Sequence, residues 1–268
     1  MNRRVLVTTV LLAIAIIATG AAFAQPVETG FLDRTVLVDG VEFRYEVYVP
    51  HDFQRSTLWP VILALHGGGA YASDGISQTE GGLARAIRLH PDRFPALVVF
   101  PQSHADGTPG WQRKGGEAAL AALDKTIAEF NGDPSRVYLT GYSAGGNGAW
   151  YLASHHPERF AALVVVCGFI SEFTGKTSGV PYPAIAPASA PDQYAFVAKR
   201  VSTLPIWVFH GDADKSVSVE ESRKMVAALK AIGANVQYTE FSGVGHNAWD
   251  PAYDRADLME WMLKQKRK

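Results

Sequence analysis

Four short stretches hold residue types that do chemistry when brought together. Ser143 stands in Gly141-Tyr142-Ser143-Ala144-Gly145, a G-x-S-x-G pentad between the apolar run RVYLT and the helical stretch YLASHHPERF. A serine at such a junction makes a good helix N-cap, and it is also where a nucleophile on a tight strand-to-helix turn would sit. The two flanking glycines suit the second reading, because strand and helix must approach closely around the turn. A serine attacks a carbonyl carbon only with a base beside it and a third group to orient that base.

His246 is the candidate base. It lies in FSGVGHNAWD, a glycine-flanked loop after the last strand-like run. His66 and His210 each close an apolar run and precede a glycine, so they read as turn-shaping residues. The orienting acid comes from the loop after IWVFH, where spacing leaves Asp212 and Asp214 both open. A fourth stretch, His66-Gly67-Gly68-Gly69, directly follows VILAL. Consecutive glycines let backbone N–H groups aim at a developing oxyanion, and the N–H of Ala144 would be a second donor.

The elements that must position these residues are readable from hydrophobic pattern. Residues 33–49 alternate apolar and polar about Asp39-Gly40, which predicts an antiparallel hairpin. VILAL, ALVVF, RVYLT, ALVVV and IWVFH are short, branched and apolar throughout, as in strands buried on both faces of a parallel sheet. Helical patterns lie between them over residues 117–130 and 219–232, the second stopping at Gly233. Residues 235–241 read as a further strand and 251–264 as a closing helix. This alternation predicts an α/β fold, with a mostly parallel sheet and helices on both faces. All four chemical stretches fall at carboxyl ends of strands, where such sheets bind ligands. Residues 168–200, rich in Pro, Gly, Ser and Ala, break the rhythm and read as an insertion flanking the site.

Bulk composition excludes several classes of function. The chain has 268 residues, 47% of them hydrophobic, and a formal net charge of −1, so no basic surplus points to nucleic acid. Cys167 is the single cysteine and sits in LVVVCG, which reads as a buried core thiol. With no cysteine cluster and no H-E-x-x-H, neither a metal nor an organic cofactor is expected. At the N-terminus, Asn2-Arg3-Arg4, the apolar run Val5 to Ile17 and Ala22-Phe23-Ala24 have the layout of a secretory signal peptide. Cleavage after Ala24 would leave residues 25–268 as one catalytic domain without a membrane anchor, exported to the periplasm or beyond.

Together, LALHGGG, the stretch 133–168, LPIWVFHGDADKSV and GVGHNAW resemble the α/β-hydrolase superfamily. Within it, they look like the branch of bacterial carboxylesterases, feruloyl esterases and poly(3-hydroxybutyrate) depolymerase-like enzymes, and like prolyl-oligopeptidase-type peptidases. The order Ser143, acid, His246 is the order of that superfamily. Its pattern HG-x-x-D-x-x-V maps onto His210, Gly211, Asp214 and Val217, which by resemblance assigns the acid to Asp214. The resemblance further implies oxyanion donors at Gly68 and Ala144, with Gly69 an alternative, and substrate contacts at Trp111 and Tyr142. The implied function is serine hydrolysis of a small or polymeric carboxylic ester through an acyl-enzyme. A serine peptidase and a non-catalytic binding protein of the same fold are the two alternatives.

Overall fold

The computed structural model describes residues 28–103, 110–175 and 179–267, so the expected signal peptide lies outside the described residues. Strands β1 (Gly30–Val38) and β2 (Val41–Val49) form the expected hairpin. Its turn residues Asp39 and Gly40 both take positive φ, the conformation that makes Asp-Gly a favoured two-residue turn. The chain continues through β3 (Trp59–Leu65), β4 (Leu97–Pro101), β5 (Gly132–Tyr142) and β6 (Ala162–Val166). A separate two-stranded ribbon follows, β7 (Phe173–Thr174) with β8 (Pro181–Tyr182), and then β9 (Ile206–Gly211) and β10 (Val236–Phe241). The main sheet has the order β1-β2-β4-β3-β5-β6-β9-β10; it is parallel from β4 to β10 and antiparallel at β1 and β2.

Side chains alternate across this sheet and divide the core in two. Ile62, Tyr138, Val164 and Phe209 face one layer; Leu63, Leu139, Leu163 and Val208 face the other. Helix α1 (Gly82–Leu89) covers the first layer. Helices α2 (Lys114–Glu129), α3 (Ala144–His155), α4 (Gln193–Val201) and α5 (Val219–Ala231) cover the second. The chain then returns to the first layer with α6 (Trp249–Tyr253) and α7 (Ala256–Leu263). Each fully buried Leu or Val here contributes about 1.5–3 kcal/mol relative to exposure, so the central strands are the firmest part of the scaffold.

Two elements differ from expectation. The stretch 168–200 holds the small ribbon and α4, where composition suggested a loop. Asp192 caps α4 by accepting from the N–H groups of Tyr194 and Ala195, and Val197, Ala198 and Val201 bury its inner face. The single closing helix is instead two, interrupted at Asp254-Arg255, where Arg255 is extended. The break lets Trp249 approach the site while Leu258, Met259 and Met262 pack on the sheet.

The strand order also places a crevice. From β3 the chain crosses to β4 on one side, and from β5 it crosses to β6 on the other. The loops leaving the carboxyl ends of β3 and β5 therefore diverge, and open α/β sheets bind ligands at such a switch point.

Candidate active site

Ser143 follows β5 directly, with φ 54° and ψ −120°, a conformation a serine adopts only when its surroundings impose it. The imposing groups are backbone. The Ser143 N–H donates to the Val166 carbonyl at 2.9 Å, and the Ser143 carbonyl accepts from the Asn147 N–H at 3.0 Å. Gly145 is pressed against β3 so closely that a Cβ there would lie 2.1 Å from the Leu65 carbonyl oxygen. Ser143 does occupy the N-cap position of α3, yet its hydroxyl makes no capping bond. It stands 2.9 Å from His246 Nε2 instead.

His246 is held from its other side. Its Nδ1–H donates to Asp214 Oδ2 at 2.7 Å, which leaves the Nε2 lone pair toward the Ser143 hydroxyl. The Trp249 ring meets the imidazole edge to face, with centroids 5.3 Å apart. Asp214 has a fully buried side chain. Burial alone would raise its pKa; hydrogen bonds from His210 and His246 and from the Ser216 N–H override this and hold it well below the ordinary carboxylate range. Asp212, the other acid in that loop, accepts from the Gly243 N–H at 2.7 Å and so braces the loop that carries His246.

The glycine loop after β3 is shaped by the histidine that opens it. His66 is buried; the Ser103 N–H donates to its Nε2 at 3.1 Å, so its hydrogen lies on Nδ1 and is donated to the Gly67 carbonyl at 2.8 Å. Burial lowers its pKa to about 4, only partly opposed by the bond to Gly67, and the ring is neutral at pH 7. Gly68 and Gly69 then border the same cavity as Ser143 and Ala144. Ala144 is the first residue of α3, so its N–H has no carbonyl within the helix to bond.

Trp111 does not line that cavity, contrary to expectation. Its side chain is 1% exposed, its Nε1–H donates to the His66 carbonyl at 3.1 Å, and it packs on α3. The room for it is made by Gly148, where a Cβ would fall 2.4 Å from the Trp111 side chain. Tyr142 is likewise not at the cavity beside Ser143. Its ring lies beneath Gly67 and Gly82 and against Trp249, with centroids 4.6 Å apart.

The cavity beside Ser143 has a volume of about 290 Å³. Its far wall is aromatic: Phe169, Phe173 and Tyr182, with Val217, all but the last from the 168–200 stretch. No pattern in that stretch marked these side chains, because their convergence depends on long-range anchors. Glu221 on α5 accepts from the N–H groups of Ile170 and Ser171 and from the Tyr194 hydroxyl. Asn147 on α3 donates to the Phe169 carbonyl at 3.1 Å. Two larger hollows, about 730 and 490 Å³, lie at the foot of the sheet and beside the β1–β2 hairpin, and neither is lined by Ser143 or His246.

Cys167 brings its Sγ within 4.8 Å of donor atoms of Asp214 and His246. The trio is not built for a cation. Burial pushes the Cys167 thiol pKa far up, the thiol donates to the His246 carbonyl at 3.5 Å, and both Asp214 oxygens already accept N–H groups.

Comparison with known proteins agrees with this architecture. The chain is 28% identical over 207 residues to a secreted protein of Arthroderma benhamiae, covering 72% of this chain and 22% of that one. It is 29% identical over 155 residues to feruloyl esterase B of Neurospora crassa, covering 52% of this chain and 49% of the esterase. The chain thus spans half or less of the length of these two relatives. Among solved structures, a thermostable esterase superposes with a TM-score of 0.72 at 30% identity, over 88% of this chain and 63% of that one. The family model of the prolyl oligopeptidases matches residues 104–266. A match of that extent, on a switch-point crevice closed by a strained strand-to-helix serine, means that the chain belongs to the prolyl oligopeptidase family and has the α/β-hydrolase fold.

Proposed function

We propose that the protein is a serine hydrolase of carboxylic esters, with Ser143 as nucleophile, His246 as base and Asp214 as its orienting acid. The observation that carries this reading is the strained Ser143, whose hydroxyl faces His246 Nε2 at 2.9 Å while Nδ1 is committed to Asp214. His246 takes the proton as Ser143 Oγ bonds to the ester carbonyl carbon, and the carbonyl oxygen becomes an oxyanion. The N–H groups of Gly68 and Ala144 receive that charge, with Gly69 the neighbouring donor. His246 then protonates the departing alkoxide, and water attacks the acyl-enzyme by the reverse proton path. The aromatic wall of Phe169, Phe173 and Tyr182 suits an ester bearing an apolar, planar group. Residues 25–268 form the catalytic unit, and the leader pattern over residues 1–24, with the secreted relative, supports export.

A fluorophosphonate probe should label the protein at Ser143, and p-nitrophenyl esters should be turned over. Ser143→Ala should lose both, turnover falling about 10⁴-fold or more. Unchanged ester turnover in that variant would end the reading. The family match favours a second reading, amide hydrolysis. Aminoacyl anilides run in parallel decide between them: the amide reading requires Ser143-dependent turnover of an anilide, and the ester reading requires that anilides stay intact while esters are cleaved.

A further inference from the structure

The Asp214 carboxylate carries two imidazoles, and the mechanism above uses one of them. His210 Nε2 lies 3.2 Å from Asp214 Oδ2, the same oxygen that accepts from His246 at 2.7 Å. We propose that His210 is a positioning residue that fixes Asp214 and shares its charge, and thereby sets how firmly His246 holds a proton. This rests on the serine-hydrolase reading of Ser143, His246 and Asp214.

Three features of the ring carry the inference. First, among the described residues Nε2 faces only acceptors, Asp214 Oδ2 and the Val217 carbonyl, the latter also at 3.2 Å, so its hydrogen must sit there and be donated. Second, Nδ1 is 2.7 Å from Ser222 Oγ, on the buried face of α5, so helix and strand together fix the ring plane. Third, both His210 and the Asp214 carboxylate are fully buried, where a hydrogen bond to a charge is strong and its loss is felt. A core histidine kept only for packing would need none of this alignment.

The surrounding charges do not supply the same contact. Glu240, beside His210 in the sheet register, is held by Arg223 and the Tyr238 hydroxyl. Cys167 approaches from the end of β6 and donates to the His246 carbonyl. Asp212 and Lys215 stand on the exposed side of the acid loop. A carboxylate sharing its charge with a second donor attracts the His246 imidazolium less strongly. Removing His210 therefore leaves Asp214 Oδ2 to His246 alone, while Oδ1 still accepts from the Ser216 and Val217 N–H groups, and His246 keeps its proton to higher pH.

The test compares His210→Phe, His210→Gln and Ser222→Ala with the wild type. The readouts are the pH dependence of kcat/KM on a p-nitrophenyl ester and the ¹⁵N-imidazole titration of His246, assigned by its absence in His246→Asn. In His210→Phe, the acidic limb and the His246 titration should both move up by about half to one pH unit, with KM changed less than about twofold. His210→Gln, which returns an N–H near the position of Nε2, should move back toward wild type. Ser222→Ala should shift in the same direction by less, and it stands in if His210→Phe does not fold. An unmoved or lowered His246 titration would overturn the proposal, however far activity or stability falls. Because the titration is read without turnover, a chain that hydrolyses no ester refutes the functional reading separately.

Discussion

His66 and His210 make an instructive pair. His66 directly follows the buried strand β3 and His210 is the penultimate residue of buried β9; each is followed by glycine, and each side chain is almost wholly removed from solvent. Their ring nitrogens nevertheless find different partners. Among the described residues, the His66 ring nitrogens meet only main chain, the Gly67 carbonyl and the Ser103 N–H, and so fix the loop that presents Gly68. His210 meets a carboxylate and a hydroxyl, and so fixes Asp214. The difference comes from the neighbours. Beside β3, the segment just after β4 offers the Ser103 N–H; beside β9, the chain doubles back within a few residues and offers Asp214. On the proposed mechanism, one dipeptide would thus steady the oxyanion side of the crevice in one place and the proton-transfer side in the other.

Substitution on each side should separate the two roles, and the proton-transfer side should suffer most. Asp214→Asn replaces a carboxylate with a group that also donates, which favours the wrong imidazole tautomer at His246; kcat should fall about 10³- to 10⁴-fold. His66→Phe leaves the proton path intact and loosens the glycine loop. It should cost about 10- to 100-fold in kcat, less than outright loss of an oxyanion donor, with the acidic limb of the kcat/KM profile unmoved. Steady-state kinetics from pH 5 to 9 would check both. A moved limb in His66→Phe, or a loss there as large as in Asp214→Asn, would break the division between the two histidines.

The pair also marks what could be read from the chain itself. Ser143 and His246 were legible because each ends a strand pattern in a glycine-rich turn, and the apolar runs that place them are local signals. Asp214 was legible only through the resemblance, since Asp212 occupies the same loop and differs in its partner, the Gly243 N–H, which lies on another loop. The turn-shaping reading of His66 and His210 caught their position and missed their partners, which arrive from the segment after β4 and from α5. Trp111 was misread for a related reason. The resemblance implied a cleft-lining aromatic there, but a bare patch of α3 at Gly148 admits the indole and takes it out of the cleft. The aromatic wall was illegible because Phe169, Phe173 and Tyr182 converge only when Glu221 and Asn147 hold the intervening chain.

The finest discrimination between the two sides lies in stability, and its sign follows from burial. His66 has its pKa lowered to about 4 in the folded chain, against about 6.5 when unfolded. Between those values the unfolded chain binds more protons, so stability falls as pH drops through that window. At pH 5 the loss relative to pH 7 comes to about 2 kcal/mol from this ring alone. Asp214 behaves differently: its depressed carboxyl contributes stability that is fully present above the unfolded carboxylate value near 3.9, and is lost only below it. Urea unfolding at pH 7 and pH 5 should therefore show a drop in the wild type that His66→Gln flattens by about 2 kcal/mol. Asp214→Asn should keep the wild-type drop, whatever it does to the absolute stability. Equal slopes in wild type and His66→Gln would mean that the His66 ring is not held neutral against Gly67 and Ser103. The lock on the glycine loop would then have to come from the Trp111 indole, which donates to the carbonyl of the same residue.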